Sequence, residues 1–164
     1  MVVEHLRGRA VVSLHQAEKL GSVDDVLVDI KDHRLAGITI GGGLFRGDSS
    51  IAWSNIRSIG QDAVMVDVQS AAEYRAAEGV VPLSNLRGRK VVTAGGELAG
   101  TIESLDFDTE TGTVNYYLVA GLSTSRFRTA PQYQLPPVAI KAIGDDIITV
   151  DESGIDFQRL QNPS

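Results

Sequence analysis

Apolar positions along the chain fall in short runs rich in Val and Ile, each broken by Gly, Asp, Asn or Ser. Such runs predict strands, because branched side chains pack well on a pleated surface and lose freedom in a helix. They place strands near Ala10–Leu14, Val23–Ile30, Ala36–Gly41, Ser50–Trp53 and Ala63–Val68. A second series follows near Lys90–Thr93, Thr101–Asp108, Val114–Ala120, Gln134–Pro136 and Ile147–Val150. Val26, Val28 and Ile30 alternate with Leu27, Asp29 and Lys31, which predicts a strand with mainly one face in the core. The later strand turns Leu105 and Phe107 inward on the same rule. It then meets Thr109-Glu110-Thr111-Gly112, a hairpin signal in which Gly is free to take positive φ. Lys31-Asp32-His33-Arg34 fills that place in the first series.

The two series are copies of each other. Leu6-Arg7-Gly8-Arg9 returns as Leu86-Arg87-Gly88-Arg89, Val11-Val12 as Val91-Val92, and Gly21 and Asp29 as Gly100 and Asp108. The closing phrase Ile59-Gly60-Gln61-Asp62 through Val66-Asp67 returns as Ile143-Gly144-Asp145-Asp146 through Val150-Asp151. A unit of about 80 residues is longer than the ~20–50 of solenoid repeats, so a whole small domain has been duplicated. Each copy is near the lower size limit for an independent core, which predicts that the two pack together.

Two stretches break the repetition. Ser70–Glu78, with Ala71, Ala72, Ala76 and Ala77, predicts a short linker helix that Gly79 can end, with Pro82 just beyond. Gly121–Pro131 is longer than its counterpart around Gly41–Gly47 and carries Ser123, Thr124, Ser125, Arg126, Phe127 and Arg128, with Tyr133 close behind. A lengthened polar loop with aromatics is a better place to look for function than a repeated core.

Composition narrows the chemistry. The chain has 164 residues, a net charge of −6 and no cysteine. Thiolate metal sites, cysteine nucleophiles and disulfides are thereby excluded. Residues 1–68 carry 7 basic and 9 acidic side chains and residues 86–164 carry 7 and 10, so both copies are acidic. That balance argues against general binding of a phosphate backbone, although a local basic patch could survive it. The opening Met-Val-Val-Glu-His lacks the pattern of a signal peptide, and no apolar run approaches the ~18 residues of a membrane helix. The expected location is cytoplasmic, peripheral to some larger complex.

Four patterns invite a chemical reading. Gly42-x-x-x-x-Gly47-Asp48-Ser49 has the spacing of a phosphate-binding loop, but Asp48 stands where a lysine must meet the phosphates and a strand, not a helix, follows. Asp106-x-Asp108-x-Glu110 opens like a calcium loop, then has Thr111 and Tyr117 where Gly and Glu are required. Asp24, Asp25, Asp29 and Asp32, with His33 adjacent, place Asp25 and Asp29 on one strand face; a solvated acidic face accounts for them more simply than paired-carboxylate catalysis. Arg7, Arg9, Arg87 and Arg89 suggest RNA, yet inheritance of a fold explains their recurrence and arginines at a strand entrance also pair with nearby acids. Trp53, replaced by Pro137 in the second copy, is expected in the core; exposed, it would be an anchor for a partner.

Both copies resemble the PRC-barrel family, named after the cytoplasmic domain of the photosynthetic reaction centre H subunit and including the C-terminal domain of a ribosome maturation factor. The resemblance rests on Leu-x-Gly-(Arg/Lys)-x-Val-Val at Leu6–Val12 and Leu86–Val92, and on the Gly-centred steps Leu20–Asp24 and Ala99–Glu103. It continues through the strands ending in Asp29 and Asp108 and the tails Ile56–Asp67 and Ile140–Asp151. Copy one departs from it at Ala52-Trp53, where copy two has Pro136-Pro137. The resemblance implies barrels of five or six strands that serve as docking surfaces, with no shared catalytic residues.

The expectation is therefore an all-β chain of two small tandem β-barrels joined by a short helical linker. Its bounds are 1–68 for the first domain, 69–85 for the linker, 86–153 for the second domain and 154–164 for a tail. The expected function is a non-enzymatic adaptor that binds a protein and uses no cofactor or metal; an RNA- or ribosome-associated module is the alternative. Candidate partner contacts are Phe45 and Trp53 in copy one, and Arg126, Phe127, Arg128 and Tyr133 in copy two. Open sheet edges also allow self-association.

Overall fold

The computed structural model of the chain describes residues 1–42, 49–67, 77–122 and 132–151. Each copy opens on one helical turn, α1 (Val3–Leu6) in the first and α2 (Leu83–Leu86) in the second. Val3 and Leu6, and equally Leu83 and Leu86, are fully buried. A spacing of three puts both apolar side chains on one face of a single turn, a signal too short for periodicity to register. Gly8 and Gly88 follow at φ 82° and 83°. A left-handed residue there redirects the chain from helix to strand, and glycine takes it without a Cβ penalty. The repeated Leu-Arg-Gly-Arg phrase is thus a helix-to-strand joint.

All ten predicted runs contain a strand. In the first copy these are β1 (Ala10–Ser13), β2 (Lys19–Asp29), β3 (Arg34–Gly41), β4 (Ser49–Ala52) and β6 (Ala63–Val66). In the second they are β8 (Lys90–Thr93), β9 (Leu98–Phe107), β10 (Val114–Gly121), β11 (Gln132–Leu135) and β13 (Ile147–Val150). Three strands escaped prediction: β7 (Val80–Pro82) in the linker, and β5 (Ile56–Ile59) and β12 (Ile140–Ile143), one in each copy. The Ile residues of β5 and β12 stand only at the ends, and a bulge shifts the register at Ile56/Ser58 and at Ile140/Ala142, so neither alternates.

The sheets share one strand order, β4-β3-β2-β1-β6-β5 and β11-β10-β9-β8-β13-β12. Neighbours are antiparallel except β1 with β6 and β8 with β13, which run parallel. In each copy the parallel pair joins the opening phrase of the sequence to its closing phrase. The fold is all-β as expected, but the hydrogen-bonded ladders stay open: β4 and β5 end the first path and β11 and β12 the second. A 3-10 turn, Trp53–Asn55 or Pro137–Ala139, carries the chain from one of these end strands to the other.

Gly21 and Gly100 recur because the neighbouring strand passes too close for a side chain. A Cβ on Gly21 would lie 2.3 Å from Ile40 Cγ2, and one on Gly100 would lie 2.1 Å from the Ala120 carbonyl oxygen.

The linker helix expected over Ser70–Glu78 falls almost wholly outside the described residues. Residues 69–76 lie outside the described residues, and Glu78-Gly79 is a turn. Val80–Pro82 forms a strand, β7, antiparallel to β2, with Leu27 opposite Pro82, Val28 opposite Val81 and Asp29 opposite Val80. This extra neighbour, with bulges at Val23/Asp25 and Leu27/Val28, corrects the one-faced reading of β2. Val26, Leu27 and Val28 are all buried, and so is Asp25. Leu105 and Phe107 point inward as predicted.

Packing divides the chain into two compact units. The first is Met1–Ser84 together with Phe107–Thr113; the second is Asn85–Asp106 together with Val114–Ser164. Val26, Val28, Leu35, Ile38, Ile51, Val64 and Val66 centre the first core, and Val91, Ile102, Leu105, Tyr117, Val119, Leu135 and Ile148 the second. The end of β9 and the turn after it therefore pack with the first unit, although they come from the second copy.

Candidate functional site

The acidic residues of copy one hold backbone in place. Asp25 is 6% exposed. Its Oδ1 accepts from Arg7 Nη2 at 3.1 Å and from its neighbour Val26 N at 2.9 Å, and its Oδ2 accepts from Ser84 N at 3.0 Å. A buried carboxylate without such donors would be costly, and these three neutralise and orient it. It is not the solvated acid expected. Asp29 accepts from Lys31 N and Asp32 N at 2.9 and 3.1 Å, closing the β2–β3 turn. Its repeat partner Asp108 accepts from Glu110 N and Thr111 N at 2.8 and 3.0 Å. These backbone donors hold the Asp108 carboxyl below the usual carboxylate range. The repeated Asp is thus a turn cap, and the calcium-like spacing around it is a hairpin.

The repeated arginines are engaged in a similar way. Arg9 Nη1 donates to Gly60 O at 2.5 Å and Arg89 Nη1 to Gly144 O at 2.8 Å, the same bond in both copies, tying opening phrase to closing phrase. Arg87 Nε donates to Glu103 O at 3.1 Å. At the end of the first copy, Asp67 receives Arg57 and His15, with Arg57 Nη2 at 2.5 Å from Oδ2 and His15 Nε2 at 2.5 Å from Oδ1. Arg57 first and His15 second hold the Asp67 carboxyl low. Burial pushes the Tyr116 hydroxyl up, with Asp106 adding to it.

Trp53 is half-buried. It stands edge-on to Phe107, with ring centroids 6.2 Å apart and planes at 88°. Its other neighbour is Gly112, where a Cβ would come within 2.8 Å of Trp53 Cε2. The indole is a seat for the β9–β10 turn. The same turn adds Arg34 opposite Thr113, Leu35 N donating to Gly112 O at 2.8 Å, and Arg34 Nη2 donating to Thr111 O at 3.3 Å. Gly112, at φ 77°, corresponds to His33, which holds φ 51° in the first copy. Burial keeps the His33 imidazole below its ordinary value, against the pull of Asp29 and Asp32.

Among the other candidates, Tyr133 lies on β11 opposite Val119 and is half-buried. Phe45, Arg126, Phe127 and Arg128 lie outside the described residues, as does most of the long polar loop. The structure adds a residue that the sequence did not single out. Val138, in the turn after β11, is 93% exposed, the most exposed large apolar side chain described; its repeat equivalent is Ser54. An apolar residue in a polar counterpart's place was the available signal. Leu98, Leu122 and Ile147 of the second unit are also exposed, against Leu14 alone among the described residues of the first.

None of the described helices is long and apolar enough to cross a membrane. Among the described residues no group of three or more His, Asp or Glu is placed to hold a metal ion.

The profile of the PRC-barrel domain family matches residues 3–72 and again residues 78–155. The chain belongs to that family, with two such domains in tandem. No curated protein matches the chain closely enough to count as a relative.

Proposed function

We propose that this tandem PRC-barrel chain is a non-enzymatic adaptor that docks a protein onto a larger assembly. PRC-barrel domains are generally protein-interaction modules and generally non-catalytic. The observation that carries the reading is the commitment of the chemically capable groups: Asp25, Asp29, Asp108, Arg9 and Arg89 all hold backbone. The proposed contact region is β11 with the turn after it, Tyr133 and Val138, together with Arg126, Phe127 and Arg128 just upstream. Phe45 is the proposed contact on the first copy. A partner with an apolar, acidic surface fits the exposed Val138 and the arginines at positions 126 and 128.

The RNA alternative draws on guanidinium groups already bonded to Asp25, Gly60, Glu103 and Gly144. The deciding experiment is affinity capture from source cells with and without nuclease, using the parent chain and the variants Tyr133→Ala and Val138→Ser. A nuclease-resistant protein retained by the parent and lost by both variants supports the adaptor. Retention unchanged in both variants overturns the contact region, and partners that vanish with nuclease favour RNA.

A further inference from the structure

The first compact unit is built from both sequence copies, and the way it is built repeats. In copy one, Val28 of β2 faces Val81, and Ile30 N donates to Gly79 O at 3.0 Å. Phe107 is the repeat equivalent of Val28, and Met1 that of Val81, by the spacings that relate Asp29 to Asp108 and Leu6 to Leu86. Phe107 N donates to Met1 O at 2.9 Å and Met1 N donates to Phe107 O at 2.6 Å. One pairing thus occurs twice, each time with the lead-in residues of one copy laid along the long strand of the other. The sequence copies exchange these segments reciprocally.

Two more contacts from copy one fasten the exchange. Asp25 accepts from the backbone of Ser84 at the start of α2. Trp53, with Arg34 and Leu35, seats the Phe107–Thr113 turn. The repeat-equivalent positions hold Ser104 and Pro137.

We infer that the copies recognise each other noncovalently: the flank of the long strand, with Trp53 and Asp25 beside it, is a binding surface for the lead-in strand and hairpin turn of a PRC repeat. The peptide link between the copies is then dispensable once the chain has folded. A strand added along a sheet flank gains main-chain hydrogen bonds, while the burial of Leu83 and Phe107 gives it register. This inference is independent of the adaptor reading.

The test uses the full chain with a specific protease site inserted between Ser70 and Ala71, folded and then cleaved. The expected result is one species of full mass by light scattering at micromolar concentration, with Trp53 fluorescence unchanged. Two separating fragments would overturn the inference. Gly112→Val in the same chain isolates the turn. Uncut, this variant should keep its circular dichroism; cut, its fragments should dissociate at least tenfold more readily than those of the cut parent. Equal retention would remove the turn from the recognition surface, and failure of the variant to fold leaves the cut parent to decide.

Discussion

The first and second copies share a fold, and they differ where the first has something to hold. Asp25 is buried in copy one and takes three donors; the second copy has Ser104, also buried, at that place. Trp53 supports a neighbouring turn, where Pro137 only starts a 3-10 turn. Ser54 is polar on the surface, where Val138 is apolar and 93% exposed. Residues kept in both copies, by contrast, perform one task twice: Gly8 and Gly88, Asp29 and Asp108, Arg9 and Arg89. Duplication leaves one sequence pattern serving two environments. Shared residues then report the fold, and diverged residues report what each copy faces.

The sharpest way to break this comparison is at Asp25. Asp25→Ala leaves Arg7 and two backbone N–H groups without their acceptor and should cost about 3–5 kcal/mol. Ser104→Ala removes one neutral hydroxyl and should cost about 1 kcal/mol. Urea unfolding of the two variants measures the gap, and equal costs would end the claim that Asp25 holds more than the residue at its equivalent position.

A smaller contrast lies at the hairpin turns. Gly112→Ala forces a Cβ into a left-handed position against Trp53 and should cost about 1–3 kcal/mol, with a shift in the emission of the lone tryptophan. His33→Gly relieves the same conformation and should gain at most about 1 kcal/mol. Opposite signs at equivalent positions sharpen the comparison; like signs would break it.

The same pair differs in its response to pH. Burial holds the folded His33 pKa below its ordinary value, so the fold favours the neutral ring. The stability this supports is complete above the ordinary value of about 6.5 and is lost as pH falls through it toward the lowered folded value. Gly112 has nothing to titrate. The urea midpoint of the parent should therefore drop between about pH 7.5 and about pH 5.5, and drop less in His33→Gln. A parallel slope in that variant would assign the loss to other groups.

The smallest effect on stability is expected at Val138→Ser, which gives the second copy the first copy's residue. It should change stability by less than about 0.5 kcal/mol while weakening retention of a captured protein. A larger stability loss would mean that Val138 packs rather than recognises.

The amino-acid sequence by itself determined ten of the strands and the duplication. Short Val- and Ile-rich runs between turn residues allow little else, and a motif set found twice in one order marks a domain. Strands without alternation, β5 and β12, and the single buried turns α1 and α2 were illegible, since a few residues carry no period. Periodicity described Leu105 and Phe107 correctly and β2 wrongly, because a strand's two faces are set by its neighbours as well as its own residues. Only the tertiary structure could show that β7 covers β2, that Asp25 is a buried acceptor, and that Phe107–Thr113 belongs with Trp53. Each of these joins residues far apart along the chain, and what fixes them is desolvation and hydrogen-bond geometry, which exist only once the chain has folded.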